Sequence, residues 1–173
     1  MLLDRNDIVS AMRNEAFARC RYEVFAEIAK EQGLHYLANV LKETADNELS
    51  HFREFMRILG LIGSVQENLE TAIVDETAES EHMYPKLSEQ AMGDGELDTA
   101  RIFARIAKIE ARHRERLEKL ADLLERDSLY EREEPIAWKC CVCGYVIDGK
   151  EPPNKCPACQ SSKNRYIPED FTL

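Results

Sequence analysis

The sequence predicts an all-α four-helix bundle followed by a small metal-binding β domain, and three observations predict it. First, a carboxylate and an imidazole stand three residues apart in Glu48-Leu49-Ser50-His51 and again in Glu110-Ala111-Arg112-His113. Each pair lies in an apolar stripe of spacing three and four: Leu37, Leu41, Ala45, Phe52, Phe55 and Leu59 around one, Phe103, Ile106, Ala107, Leu117, Leu120 and Leu124 around the other. Such a stripe marks the core-facing side of a helix. Second, this arrangement recurs inside the chain. Third, five of the six cysteines fall between residues 140 and 159.

Taken in order, the first helix is expected over about Asp7 to Gln32, with Gly33 as its C-cap. Its stripe is Ile8, Met12, Ala18, Tyr22, Phe25 and Ala29, and Glu15 lies on it. The second runs from about Leu34 to Leu59 and is closed by Gly60. Ser64-Val65-Gln66-Glu67 is a capping box that opens a third helix to about Met92, with Glu79 and His82 three apart and a kink expected at Pro85. Gly93-Asp94-Gly95 breaks the chain before a fourth helix, about Glu96 to Arg126.

The inward polar residues are then Glu15, Glu48 with His51, Glu79 with His82, and Glu110 with His113. A spacing of 33 residues separates Glu15 from Glu48, and 31 separate Glu79 from Glu110. This is an internal duplication of a helix pair carrying a Glu and then a Glu-x-x-His. Glutamate is almost never buried unless it is paired or bound to a metal. Four carboxylates with imidazoles suit two ferrous ions, or manganese. Glu76, Glu81 and His35 are left out of this set: Glu76 sits one turn before Glu79, Glu81 faces away, and His35 has no partner.

Composition limits the function classes. The net charge of -10, with no Lys/Arg-rich run, disfavours nucleic acid and membrane surfaces. No apolar run approaches the roughly 18 residues that span a bilayer, and MLLDRNDIVS is not a signal peptide. The expected location is cytoplasmic. Cys20, alone on the first helix, is expected to be a buried, inert thiol.

RDSLYEREEP loses the helical stripe and ends in proline, so it is a linker. Beyond it, Cys140-x-x-Cys143 and Cys156-x-x-Cys159 place four thiolates around one metal. The metal is expected to hold so small a unit folded, with Trp138, Tyr145, Tyr166 and Phe171 assisting. Cys141 has no ligand role. Spacing does not distinguish iron from zinc.

Together these residues resemble the rubrerythrins: a ferritin-like di-iron four-helix bundle fused to a C-terminal rubredoxin-like Fe(Cys)4 domain. The resemblance rests on Asn14-Glu15 through Arg21-Tyr22, Glu43-Thr44-Ala45-Asp46 leading into Glu48 and His51, Met83-Tyr84-Pro85, and the W-x-C-x-x-C-G-Y run from Trp138 to Tyr145. It implies residues 1–126 as the di-iron bundle, 127–136 as linker and 137–173 as the thiolate domain. The implied site is Glu15, Glu48, His51, Glu79, His82, Glu110 and His113, holding two irons, with one iron on Cys140, Cys143, Cys156 and Cys159 (zinc being the alternative at either site). Two departures stand out. His82 occupies the place where the family usually has a second third-helix Glu before Met-Tyr-Pro, and Gln160 replaces the frequent glycine after the last cysteine.

The implied activity is reduction of hydrogen peroxide to water, a peroxidase of oxidative-stress defence. Electrons would reach the bundle through the thiolate iron from an external donor, such as a rubredoxin or an NAD(P)H-dependent reductase. A ferroxidase, a zinc-ribbon module without turnover and an oxygenase are the alternatives. Chain length adds one expectation. In a ferritin-like bundle the second and third helices run the same way, and Gly60 to Ser64 is too short to carry the chain back. Either residues 65–74 are not helical, or the bundle is simply up-down-up-down, or a homodimer swaps helix pairs. The swapped dimer is the expected solution.

Overall fold

The computed structural model describes residues 4–170. They form two separately compact units divided between Gly63 and Ser64, so the break falls inside the segment expected to be one bundle.

The first unit is a helical hairpin, α1 (Arg5–Glu31) and α2 (His35–Leu59). Asp4 caps the start of α1 by accepting from the Asn6 backbone N–H. Both helices end in the same manner: Gly33 and Gly60 take φ 76° and 66°, and Leu34 N–H and Leu61 N–H bond back to Ala29 O and Met56 O. This left-handed closure is open to glycine at no steric cost. The helices meet on small side chains. Ala26, Ala29, Ala38 and Ala45 are buried, and Arg19 donates to the Ala45 carbonyl oxygen at 3.2 Å.

The second unit begins at the capping box, which forms as expected: Glu67 N–H to Ser64 Oγ at 3.2 Å, and Ser64 N–H to Glu67 Oε2 at 2.7 Å. Helix α3 (Val65–Ala78) passes into a π-helical turn, Glu79–Met83, then into α4 (Tyr84–Gly93). The interruption lies just before Pro85 rather than at it. A proline in an α-helix clashes with the carbonyl four residues back, and the wider π turn with its Tyr84 N–H to Glu79 O bond relieves that crowding. Helix α5 (Leu97–Glu125) packs against both α3 and α4, and Ser88 Oγ donates to Ala100 O at 3.0 Å.

The same unit ends in a three-stranded antiparallel sheet, β1 (Ile136–Cys140), β2 (Val146–Gly149) and β3 (Tyr166–Pro168), ordered β2-β1-β3. Trp138, Cys140, Cys156 and Tyr166 form its core, and Trp138 Nε1 donates to Gly149 O at 2.9 Å. Tyr145, expected to help, is 39% exposed, and Phe171 lies outside the described residues. The linker is bonded to this sheet domain. Arg132 N–H bonds Lys150 O, and its guanidinium lies 5.2 Å from the Trp138 ring centroid.

Candidate metal centres

In the first unit, α1 presents Glu15 and α2 presents Glu48 and His51 at one level. Their ligand atoms lie within 4.8 Å of one another. His51 Nδ1 stands 2.9 Å from Glu48 Oε2 and 3.6 Å from Glu15 Oε2. Burial raises the Glu15 carboxyl above the ordinary carboxylate range, and the neighbouring Glu48 adds to it. The hydrogen bond to Glu48 raises His51, and Glu15 reinforces it. Two carboxylates around one imidazole draw in a positive charge, from a proton or from a metal ion.

The second unit repeats the arrangement with a different first residue. Glu76, Glu110 and His113 converge within the same 4.8 Å. His113 Nδ1 is 2.6 Å from Glu110 Oε2 and 3.6 Å from Glu76 Oε2. Burial raises Glu76, followed by the adjacent Glu110. Glu76, set aside on sequence grounds, thus takes the place expected of Glu79. Its distance to Glu110 is 34 residues, closer than 31 to the 33 between Glu15 and Glu48. That spacing was the available signal.

Glu79 and His82 are not in this group. The π turn holds more residues per revolution than an α-helix, so the three-residue face shared by Glu76 and Glu79 does not continue to His82. Glu79 stays near enough to raise both Glu76 and Tyr84. His82 is exposed. The expected exchange of a family glutamate for His82 is therefore a misplaced register, because Glu76 and Glu79 already supply two third-helix carboxylates.

Four Glu and two His, in two equivalent threes, fit a pair of ferrous ions in charge and donor type. One atom points to a missing cation directly: Glu76 Oε2 is buried and accepts no hydrogen bond, which costs free energy unless something cationic is there.

The cysteine site is formed as expected. Cys140 Sγ is 3.8 Å from Cys159 Sγ, and Cys143 Sγ is 3.6 Å from Cys156 Sγ. Those separations are far beyond a disulfide's length of about 2.05 Å. They match the edge, about 3.8 Å, of a tetrahedron with metal–sulfur bonds of about 2.3 Å. Ser161, which sequence reasoning missed, places its Oγ 3.2 Å from both Cys140 and Cys159. The Ser161 hydrogen bond, with backbone N–H groups, lowers Cys140 to about 6. Cys143 receives the Tyr145 backbone N–H, but burial and the surrounding thiols prevail and push it up to about 12. Four thiols so placed do not ionise together without a cation.

Two tight turns hold the thiols. Gly144 N–H bonds Cys140 O, and Gln160 N–H bonds Cys156 O, each at 2.9 Å. Gln160 takes φ 62° as Gly144 takes 76°, so the second turn has the same left-handed form as the first. The left-handed conformation costs a non-glycine residue about 1–2 kcal/mol, and the Gln160 side chain donates to Cys156 O at 3.2 Å in partial return. Cys141 is exposed and outside the ligand group. Cys20 is also exposed, contrary to expectation.

The rubrerythrin family model matches residues 7–121, and the model for the rubrerythrin rubredoxin-like domain matches residues 138–167. The chain belongs to the rubrerythrin family. It is 38% identical to a rubrerythrin of Porphyromonas gingivalis over 93% of this chain and 87% of that one. It is 32% identical to rubrerythrin-1 of Clostridium acetobutylicum, over 88% and 87%. A rubrerythrin of Nitratidesulfovibrio vulgaris is 31% identical, over 92% and 91%. Rubrerythrins bind iron, and the carboxylate–histidine groups and the four cysteines are the places in this chain suited to the di-iron and rubredoxin-like centres. Among the described residues no helix is long and apolar enough to cross a membrane.

Proposed function

We propose that this rubrerythrin reduces hydrogen peroxide to water in the cytoplasm, drawing electrons through its four-cysteine iron from a rubredoxin or an NAD(P)H-dependent reductase. The observation that carries this reading is the presence, in one chain, of a carboxylate-rich two-metal ligand set and a one-electron thiolate site. Iron storage or ferroxidase chemistry needs the first and has no use for the second.

The reaction takes two electrons and two protons per peroxide and releases two waters. Bound as a ferrous pair, the irons supply the two electrons. Glu15, Glu48, His51, Glu76, Glu110 and His113 would hold that pair, with Glu79 as the further carboxylate nearby. His82 takes no part. Tyr84, whose hydroxyl burial and then Glu79 hold protonated, would keep a proton close to where water forms. Ser161 and the backbone donors around Cys140 and Cys156 spread the negative charge of the thiolate site, which sets its readiness to take and pass one electron.

The visible spectrum of the native-metal protein tests this reading. Reddish iron–thiolate charge-transfer bands are expected to bleach on anaerobic reduction and return when peroxide is added. A colourless thiolate site, or bands that stay bleached with peroxide, would contradict the relay.

A further inference from the structure

We infer that two side-chain hydroxyls, those of Ser161 and Tyr166, donate to the sulfurs of the four-cysteine site and raise the reduction potential of its iron. The inference rests on the relay reading above only for iron at that site. It concerns how readily that iron takes an electron, not what consumes the electron afterwards.

Tyr166 supplies the half with no sequence signal. It belongs to the small core with Trp138, Cys140 and Cys156, and it is 2% exposed. Strand β3 pairs it with Cys140 across the antiparallel ladder, so the two side chains stand on one face of the sheet. Its hydroxyl is buried and has no partner in good hydrogen-bond geometry. A polar group buried in that state costs stability, and a phenylalanine would fill the same core without the cost. The neighbour to which the hydroxyl can donate is the Cys156 sulfur. A neutral thiol is a weak acceptor, whereas a hydrogen bond to an ionised group is about twice as strong as a neutral one. The charge that a bound metal leaves on Cys156 therefore gives this hydroxyl the partner it lacks.

Ser161 is held from both sides. The Cys156 N–H donates to Ser161 O at 2.8 Å, and the next residue, Ser162, forms a β-bridge with Lys155. Ser161 Oγ then lies 3.2 Å from both the Cys140 and the Cys159 sulfur. Metal-bound thiolates have no proton to give, so the hydroxyl is the donor in the loaded site. Ser161 thus serves Cys140 and Cys159, and Tyr166 serves Cys156.

The direction of the effect follows from charge. Four thiolates outweigh the charge of one iron in either oxidation state, and reduction adds one further negative charge. A donor aimed at sulfur therefore holds the reduced site more strongly than the oxidised one, which raises the potential. Cys140 and Cys156 are fully buried, so bulk water does not replace a hydroxyl that is removed from them.

An anaerobic redox titration of the full-length, iron-loaded protein, followed by its iron–thiolate colour, tests the assignment. Ser161→Ala and Tyr166→Phe are each expected to shift the one-electron equilibrium toward the oxidised form by about tenfold, equivalent to about 59 mV. The double variant is expected to shift further than either. Ser161→Thr keeps the hydroxyl and is expected to stay within about twofold of wild type. Tyr166→Phe keeps the ring that fills the core, so its site is expected to load. The charge-transfer bands of the oxidised Ala and Phe variants are expected at longer wavelength, because a sulfur without its donor gives up electron density more easily. Equilibria for Ser161→Ala and Tyr166→Phe within about twofold of wild type would overturn the assignment, as would a Ser161→Thr potential as low as that of Ser161→Ala. Reduced wild-type protein whose colour does not return with peroxide, while the variant shifts are present, would reject the relay reading and leave the hydroxyl assignment standing.

Discussion

Glu76→Ala is expected to empty the bundle of iron and to lower peroxide turnover at least about 100-fold, whereas His82→Ala leaves both within about twofold. The contrast follows from geometry. Glu76 Oε2 is buried without a hydrogen bond beside Glu110 and His113, while His82 is exposed, six residues past Glu76 and outside the group. Removing Glu76 takes away a ligand and a quarter of the negative charge that offsets two ferrous ions. The fold is expected to survive, because deleting a carboxylate from an unloaded acidic cluster relieves repulsion. Iron analysis and circular dichroism on the two variants make the comparison. Full iron in Glu76→Ala with loss in His82→Ala would restore the ligand set predicted from sequence.

The second large effect belongs to the thiolate site. Cys156→Ser is expected to abolish the iron–thiolate colour and reductase-driven turnover together, yet leave the reduced bundle able to consume peroxide once. Cys156 is buried in a core that otherwise contains little beyond Trp138, Cys140 and Tyr166, so loss of the metal removes most of what keeps this domain folded. The bundle helices share no ligand with it. Stopped-flow single turnover followed by steady-state assay separates the two outcomes. Undiminished reductase-driven turnover would show that electrons enter the bundle by another route.

The sequence already displayed the parts that depend on local spacing. Glu48 with His51, Glu110 with His113 and the two CxxC pairs are close-range geometry, and helix or knuckle periodicity decides them. The capping box at Ser64 and the glycine closures at Gly33 and Gly60 are of the same kind. What was not legible depends on distortion or on distant packing. The π turn before Pro85 shifts the register of α3, so extrapolating an ideal helix from Glu79 to His82 chose the wrong residues. Glu76, one turn before Glu79, carries no local signal, because its partners Glu110 and His113 lie over thirty residues away. Ser161 carries no motif at all, and its contact with two sulfurs follows only from the return of the second knuckle. The exposed Cys20 shows the reverse error, a burial inferred from residue type on a helix whose buried apolar residues are alanines.

A peroxide titration of the fully reduced, iron-loaded protein tests the central claim most directly. Two ferrous irons and one reduced thiolate iron hold three electrons per chain, and each peroxide takes two. Complete oxidation, monitored anaerobically by return of the thiolate colour, is therefore expected at about one and a half peroxides per chain. An end point near one half would mean that only the thiolate iron reacts, and no di-iron reductase exists in this protein.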